Sequence, residues 1–151
     1  MLDIVLVQPE IPHNTGNIGR TCVVTRSRLH LVGPLGFSVT DAAVKRAGLD
    51  YWPLLDVTVY KDWDEFWSRH CRRRIWCFST RGKVRHVDVR WPRDAMMVFG
   101  RETAGLPPEI MALGQSVRLP MAPGFRSLNL SNAVAVAVYE YLRQWDFPGL
   151  V

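Results

Sequence analysis

The chain has 151 residues, of which 48% are hydrophobic and 22% are charged. This length fits one compact domain, and the hydrophobic share supports a sizeable core, so the composition excludes a disordered or fibrous chain. No apolar run approaches the ~20 residues that cross a bilayer. We therefore expect a single globular domain over residues 1–151 that makes no membrane contact.

The charge balance is basic. Lys and Arg total 19 against 14 acidic residues, a net charge of +5, and only Lys45, Lys61 and Lys83 are lysines. Because the planar guanidinium of arginine suits phosphate recognition, this balance favours a polyanionic partner such as nucleic acid. A basic surface that only keeps a protein in solution has the same composition, so this alternative stays open.

The cysteines and histidines bear on compartment and metal binding. Cys22, Cys71 and Cys77 form neither an even disulfide set nor a Cys-x-x-Cys pair, and the N-terminus lacks the basic region of an export signal. These features predict reduced thiols in the cytoplasm. The four histidines are scattered without metal-ligand spacing, so we expect no metal site.

Short apolar runs alternate with helical stretches along the chain. The predicted strands are Leu2–Val7, Arg28–Val32, Val57–Tyr60, Ile75–Ser79, Ala95–Phe99 and Ser116–Leu119. Helices are predicted from Thr40 or Asp41 to Gly48, from Asp62 to about His70, and from Pro107 onward. Alternation of this kind predicts an α/β fold, a mostly parallel sheet flanked by helices on both faces, with ligands at the carboxyl ends of the strands.

The last segment fits two interpretations. Ala133–Val138 alternates like a strand, yet Val134, Val138 and Leu142 also line one helical stripe. The pattern continues to Gln144, where strand alternation fails, and Ser131-Asn132 are good N-caps, so we predict a helix. Its Ala/Val face suits either the core or contact with a second copy of the chain.

Three predicted loops carry more Gly, Asn and Pro than simple turns need. The first, 8–20, offers amides for an anion at the N-terminus of a following helix, with Arg20 about one turn inside it; a plain N-cap with an exposed arginine is the alternative. The second, 99–107, lacks the Gly-Lys-Ser/Thr of a P-loop, and its Glu102 is either a catalytic base or an acid that braces the loop. The third, 119–132, suits a shaped pocket or a long crossing loop.

Taken together, these stretches resemble a known family. Asn14–Arg20, Gly100–Pro107 and Ser127–Val134 resemble, in this order, the three motifs of the SPOUT superfamily of RNA methyltransferases, and specifically its short tRNA 2′-O-methyltransferase members. The similarity extends from Leu2 to about Gly149 and includes Arg46–Tyr51. Three motifs in this order and at this spacing are highly specific.

The resemblance implies a fold and an activity. The fold is α/β with a C-terminal deep trefoil knot around S-adenosylmethionine, in a homodimer that uses the first and last helices. The activity is methylation of the ribose 2′-hydroxyl of the wobble nucleotide, cytidine or uridine at position 34, in the anticodon stem-loop of tRNA, with S-adenosylhomocysteine as product. The alternatives are another tRNA or rRNA ribose, or a knotted RNA-binding protein without catalysis.

The resemblance also implies site residues. Those expected to bind the cofactor are Phe78, Gly100, Leu119, Ser127, Leu128 and Asn132. Arg20, Arg126 and Tyr139 are assigned to RNA and the reacting ribose. Because arginine stays protonated in proteins, Arg20 is expected to stabilise the developing alkoxide or to grip the adjacent phosphate. Further expected phosphate contacts are Arg26, Arg28, Arg72–Arg74 and Arg85.

Overall fold

A computed structural model describes residues 1–40, 42, 44, 46 and 49–151. In chain order the elements are β1 (Asp3–Val7), α1 (Pro12–Thr25), β2 (Arg28–Val32), a 3₁₀ helix (Leu49–Leu54), β3 (Val57–Tyr60), α2 (Trp63–His70), β4 (Trp76–Phe78), β5 (Val84–Arg85), a 3₁₀ helix (His86–Asp88), β6 (Met96–Phe99), α3 (Pro108–Met111), β7 (Gln115–Arg118) and α4 (Leu130–Gln144). The predicted helix that ends at Gly48 falls largely on residues outside the described ones, as do positions 47 and 48 of the 46–51 stretch.

The strands form one seven-stranded sheet in the order β3-β2-β1-β6-β4-β7-β5. Every strand pair in it is parallel, which confirms the predicted α/β architecture. All six predicted strands are confirmed to within one residue at each end. The seventh, β5, was not predicted because its two residues are too short to show a periodic pattern.

Helices cover both faces of the sheet, and alternate residues of each central strand enter different cores. In β1, Ile4 and Leu6 pack in the core that contains buried residues of α1 and α4. Val5 and Val7 pack in the other core, with α2 and α3. A shift of one residue in strand register would exchange the two sets, so burial on both faces specifies the register strongly.

The first helix begins earlier than predicted. Residues 12–20 of the predicted first loop are helical, because α1 starts at Pro12. Its Asn and Gly residues have low helix propensity, but burial overrides it: Ile18 and Cys22 are fully buried, and a Cβ at Gly19 would lie 2.9 Å from the Trp52 ring. Arg20 lies more than two turns from the helix start, so the prediction that it lies about one turn inside the helix is wrong.

The remaining helices agree with the sequence more closely. Asp62 caps α2 by accepting a hydrogen bond from the Glu65 amide at 2.9 Å, and Pro108 opens α3, both as predicted. The last segment is a helix, which confirms that prediction. Its cap, however, is Asn129, whose Oδ1 accepts from the Ser131 amide at 2.9 Å; Ser131 and Asn132 lie in the first turn and are not caps.

No helix in the described ranges has the length and apolar character needed to cross a membrane. Within the same residues, no group of three or more His, Cys, Asp or Glu side chains is arranged to hold a metal ion.

A buried carboxylate joins the strands at the amino edge of the sheet. Asp3 is fully buried, and its oxygens accept from Arg28 Nε at 2.7 Å and His30 Nε2 at 2.8 Å, with Arg73 Nη1 at 2.8 Å. Burial by itself would raise the pKa of Asp3, but the hydrogen bonds from His30, Arg28 and Arg73 outweigh it and hold that pKa well below its usual range. Two predicted phosphate contacts, Arg28 and Arg73, therefore neutralise an internal acid.

The Asp3 cluster predicts a pH-dependent stability. A carboxyl whose pKa is lowered by folding adds stability above the pKa it has in the unfolded chain, and this stability is lost as the pH falls below about 4. We expect Asp3→Asn to lower the free energy of unfolding by about 3 kcal/mol at neutral pH and to flatten its fall in acid. Urea denaturation across this pH range measures both effects.

Asp88→Asn is the matched control, because Asp88 pairs with Arg85 on the surface and both side chains are about half exposed. It should change the free energy of unfolding by less than about 1 kcal/mol. Equal stability of Asp3→Asn and the unchanged protein would contradict the role given to this cluster.

Candidate functional site

The second loop holds the start of α1 through one carboxylate. Glu102 Oε2 accepts from the Glu10 amide at 2.8 Å, and Oε1 accepts from the Ile11 amide at 3.1 Å. Amides before the first turn of a helix lack partners within the helix and attract negative charge. The anion at this helix start is therefore the protein's own, which supports the loop-bracing role of Glu102 over a catalytic base.

The same carboxylate connects to the third loop through two asparagines. Asn14 Nδ2 donates to Glu102 Oε1 at 3.4 Å, and Asn129 Nδ2 donates to Asn14 Oδ1 at 3.1 Å. Asn129 also caps α4. The Glu102–Asn14–Asn129 link thus joins all three sequence motifs and the starts of both helices.

A second set of contacts closes the second loop on the first. Glu10 Oε1 accepts from Thr103 Oγ1 at 2.6 Å and from the Thr103 amide at 3.3 Å. The hydrogen bond from the Thr103 hydroxyl is the main reason that the pKa of Glu10 lies below its ordinary value. Arg101 adds a hydrogen bond to Gln8. The two segments therefore hold each other from both sides.

The second loop turns tightly and needs its glycines. The amides of Arg101 and Gly105 each donate to the carbonyl of the other, at 3.2 and 2.9 Å. A Cβ at Gly100 would lie 2.1 Å from the Gly105 carbonyl carbon, and Gly105 has φ +67°, which side chains disfavour. The close approach explains Gly100 and the positive φ explains Gly105, in both cases without a ligand.

A cleft of about 320 Å³ lies between α1 and α4. Its lining residues are Asn17, Arg20, Thr21, Val24, Ser131, Asn132, Ala135 and Tyr139. The structure thus brings together three of the predicted site residues, Arg20, Asn132 and Tyr139, although more than 110 positions separate the first from the others. Arg20 is exposed and Tyr139 is 50% exposed, so both are open to a ligand.

Sequence reasoning missed several residues of this cleft. Asn17, Thr21 and Ser131 line it but were not predicted as site residues. The signal was available in part, since Asn17, Thr21 and Val24 share a helical stripe with Arg20. The predicted loop over residues 8–20 includes Asn17 and Arg20, so the helical stripe is not part of the prediction.

Three predicted cofactor contacts lie along one edge of the sheet. Phe78 ends β4, while Gly100 and Leu119 directly follow β6 and β7. These strands are neighbours and run parallel, so their carboxyl ends lie side by side. The Phe78 ring stacks on Phe99 with centroids 4.5 Å apart, which gives this edge a buried aromatic wall.

The other predicted site residues lie apart from the cleft. Arg126, Ser127 and Leu128 belong to the exposed loop between β7 and α4, and the cleft lining includes none of them. Leu128 is 44% exposed. The loop therefore follows the carboxyl end of β7, and Arg126 lies outside the lining of the cleft that contains Arg20 and Tyr139.

The arginines predicted to contact phosphate fall into different settings. Besides the two on Asp3, Arg85 pairs with Asp88 at 2.7 Å, and Arg74 donates to Gln115 Oε1 at 2.8 Å. A second cavity, of about 300 Å³, lies at the opposite, amino end of β4 and β6. Its lining residues are Arg73, Arg74, Trp76, Arg90, Pro92 and Asp94.

The Glu102 contacts predict a specific loss of stability. Glu102→Ala leaves the Glu10 and Ile11 amides without their acceptor, and hydrogen bonds to a charged group contribute about 1.5–3 kcal/mol each at most. We expect the free energy of unfolding to fall by about 2 kcal/mol in chemical denaturation. The matched control is Glu109→Ala, an exposed acid in the first turn of α3, with an expected change within about 0.5 kcal/mol. Equal losses in the two variants would refute the bracing role.

Known proteins show close similarity along the full chain. The chain is 50% identical over 154 residues to the tRNA (cytidine(34)-2′-O)-methyltransferase of Methylovorus glucosotrophus (strain SIP3-4), with 100% of both chains covered. It is 45% identical over 154 residues to the enzyme of the same name from Escherichia coli (strain K12), covering 100% of this chain and 98% of the relative.

Solved structures agree. One that concerns the 2-OH methylation of C/U34 on tRNA superposes with a TM-score of 0.94 at 42% identity, covering 97% of each chain. The SpoU methyltransferase AviRb of Streptomyces viridochromogenes, solved in complex with the cofactor AdoMet, shares the fold, with a TM-score of 0.86 at 24% identity over 97% of this chain and 58% of that one. Residues 1–139 match the SpoU rRNA Methylase family. This chain therefore belongs to the SpoU rRNA methylase family.

Proposed function

We propose that this protein transfers a methyl group from S-adenosylmethionine to the ribose 2′-hydroxyl of the wobble nucleotide of tRNA, cytidine or uridine at position 34. One observation carries the proposal: Arg20 and Tyr139 line one cleft in a chain that is 50% identical, over its whole length, to an enzyme named for that reaction. The Glu102–Asn14–Asn129 link joins the starts of the two helices that form this cleft. Residues 1–151 act as one domain in this proposal.

The carboxyl edge of β4, β6 and β7 fits the cofactor. S-adenosylmethionine, when bound, supplies an electrophilic methyl group on a sulfonium sulfur and leaves as S-adenosylhomocysteine. Phe78, Gly100 and Leu119 offer backbone groups at three adjacent strand ends, beside the stacked Phe78–Phe99 wall that excludes water. We assign Ser127, Leu128 and Asn132 to the same site, from the segment that the link holds nearby.

Arg20 and Tyr139 are assigned to the reacting ribose. As the oxygen of the 2′-hydroxyl bonds to the methyl carbon, the bond from that carbon to sulfur would break, and the hydroxyl proton would pass to solvent at the open cleft. A guanidinium beside that oxygen lowers the cost of the negative charge that develops there. Tyr139, on the facing helix, orients the ribose across the cleft. Arg126, on the exposed loop, holds the RNA backbone.

The outer face of the two cleft helices supports a homodimer. Val24 of α1 is 44% exposed, and Val136 of α4 is 45% exposed. Exposed apolar side chains gathered on adjoining helices are typical of protein contact surfaces. We propose that a second copy covers them and that the tRNA anticodon stem-loop binds beside this contact, in the cytoplasm.

We also propose that the C-terminal segment is knotted. Support comes from contacts between α4 and the chain that precedes β6. Gln144 Oε1 accepts from the Trp91 amide at 3.0 Å, and the Tyr141 hydroxyl donates to the Arg93 carbonyl at 2.7 Å. These bonds join the last helix to that preceding segment, and a chain threaded at this point would bring the same two segments into contact.

The function is tested by transfer of labelled methyl groups from S-adenosylmethionine to an unmodified tRNA with cytidine at position 34, followed by nuclease mapping. The control tRNA differs only by a 2′-deoxyribose at that nucleotide. We expect label at the wobble ribose and none in the control. Label at another ribose would show that a different nucleotide is the substrate. Binding of S-adenosylmethionine without transfer to any RNA would favour an RNA-binding protein without catalysis.

Arg20→Lys separates the guanidinium fork from its charge. Lysine keeps the positive charge but lacks the planar pair of donors, so we expect kcat to fall by about 100-fold while the affinity for S-adenosylmethionine is unchanged. Arg69→Lys is the control, because Arg69 lies on α2, across the sheet from the cleft. Steady-state kinetics give kcat for both variants, and a binding titration gives their affinity for S-adenosylmethionine. Near-normal kcat of Arg20→Lys would contradict the role given to the planar guanidinium.

A further inference from the structure

The 3₁₀ helix Leu49–Leu54 places an aromatic ring against Arg20. The Cζ atom of Arg20 lies 4.7 Å from the centroid of the Tyr51 ring. The guanidinium lies over the ring face, which attracts it at this distance. Among the carboxylates whose side chains the structure describes, none pairs with Arg20.

The neighbouring residues hold this ring in place. A Cβ at Gly19 would lie 2.9 Å from the Trp52 ring and 3.1 Å from Leu55 Cδ2, so both side chains pack directly on the backbone of α1. Gly19 precedes Arg20 and Trp52 follows Tyr51 in the chain. The contact between Gly19 and Trp52 therefore brings Arg20 and Tyr51 together and restricts movement of the 3₁₀ helix.

We propose that Tyr51 is a positioning residue for Arg20: its ring covers one face of the guanidinium and leaves the N–H edge free for an oxygen of the substrate in the cleft. This inference rests on the proposed function. It also gives a role to Tyr51, the last residue of the 46–51 stretch that lies outside the three motifs.

The physical benefit is preorganisation. An arginine side chain has several rotatable bonds, and ordering it during the reaction would cost entropy. The ring restricts these bonds in the folded protein before substrate arrives. It also removes water from one face, which strengthens hydrogen bonds made along the edge. Both effects act on the chemical step more than on cofactor binding.

Two substitutions separate the ring from its hydroxyl. Tyr51→Phe keeps the aromatic face, and Tyr51→Leu removes it at a similar size. We expect Tyr51→Leu to lower kcat by about tenfold with the Kd for S-adenosylmethionine unchanged. Tyr51→Phe should stay within about twofold of the unchanged enzyme. If Tyr51→Leu instead loosened the fold, its affinity for S-adenosylmethionine and its Tm would both fall.

A second measurement does not depend on activity. In the unchanged protein the Nε–Hε resonance of Arg20 should be shifted by the ring current of Tyr51, should keep that shift in Tyr51→Phe and should lose it in Tyr51→Leu. Absence of the shift in the unchanged protein would overturn the proposal even if Tyr51→Leu fails to fold.

The outcomes distinguish this inference from the function beneath it. If the unchanged enzyme transfers no methyl group to tRNA, the proposed function fails. If it is active and Tyr51→Leu retains its kcat, the function stands and the positioning role is overturned. If Tyr51→Phe loses as much activity as Tyr51→Leu, the hydroxyl and not the ring is responsible, which also overturns it.

Discussion

The architecture of the site depends on the hydrogen bonds that run from Glu102 through Asn14 to Asn129. Asn14 lies 88 positions from Glu102 and 115 positions from Asn129 in sequence. Each of the three belongs to a segment rich in Gly, Asn or Pro, with little intrinsic preference for one structure. The link satisfies the amides at the start of α1 and connects to the cap of α4. Because the cleft lies between these two helices, their start points determine its shape.

The parallel sheet separates stability from function. At its amino edge, the buried carboxylate of Asp3 forms ion pairs with Arg28 and Arg73. At its carboxyl edge, the neighbouring ends of β4, β6 and β7 bring together backbone groups and a stacked aromatic wall. Ligands gather at this second edge in open α/β sheets because the chain crosses over there and leaves a crevice. The arginines therefore do not act as one class, since some hold the fold while Arg20 faces the cleft.

Much of the fold followed from the sequence, because strands buried on both faces leave an apolar signal that needs no tertiary knowledge. The start of α1 did not follow: Asn14, Gly16 and Gly19 are poor helix formers, and only packing of this helix against Trp52 and α4 explains its structure. The two-residue β5 and the Asn129 cap also depend on contacts that a local pattern cannot show.

The site was predictable only in part. Motif resemblance named Arg20, Asn132 and Tyr139, and the structure gathers these three in one cleft. The positions of Tyr51 beside Arg20 and of Ser131 in the cleft follow only from the three-dimensional structure, since their neighbours in space are distant in the chain. Glu102 was correctly considered as a bracing acid, but its partners lie more than 85 positions away and no spacing rule identifies them.

A crystal structure with S-adenosylhomocysteine tests the central claim most directly, because that claim is a spatial one: the link places the cofactor edge and the cleft side by side. The account predicts the ligand against the backbone of Phe78, Gly100 and Leu119, with its sulfur facing Arg20 and Tyr139 and with Arg20 still stacked on Tyr51. A ligand bound in the arginine-lined cavity at the amino edge, or with its sulfur turned away from Arg20, would contradict it.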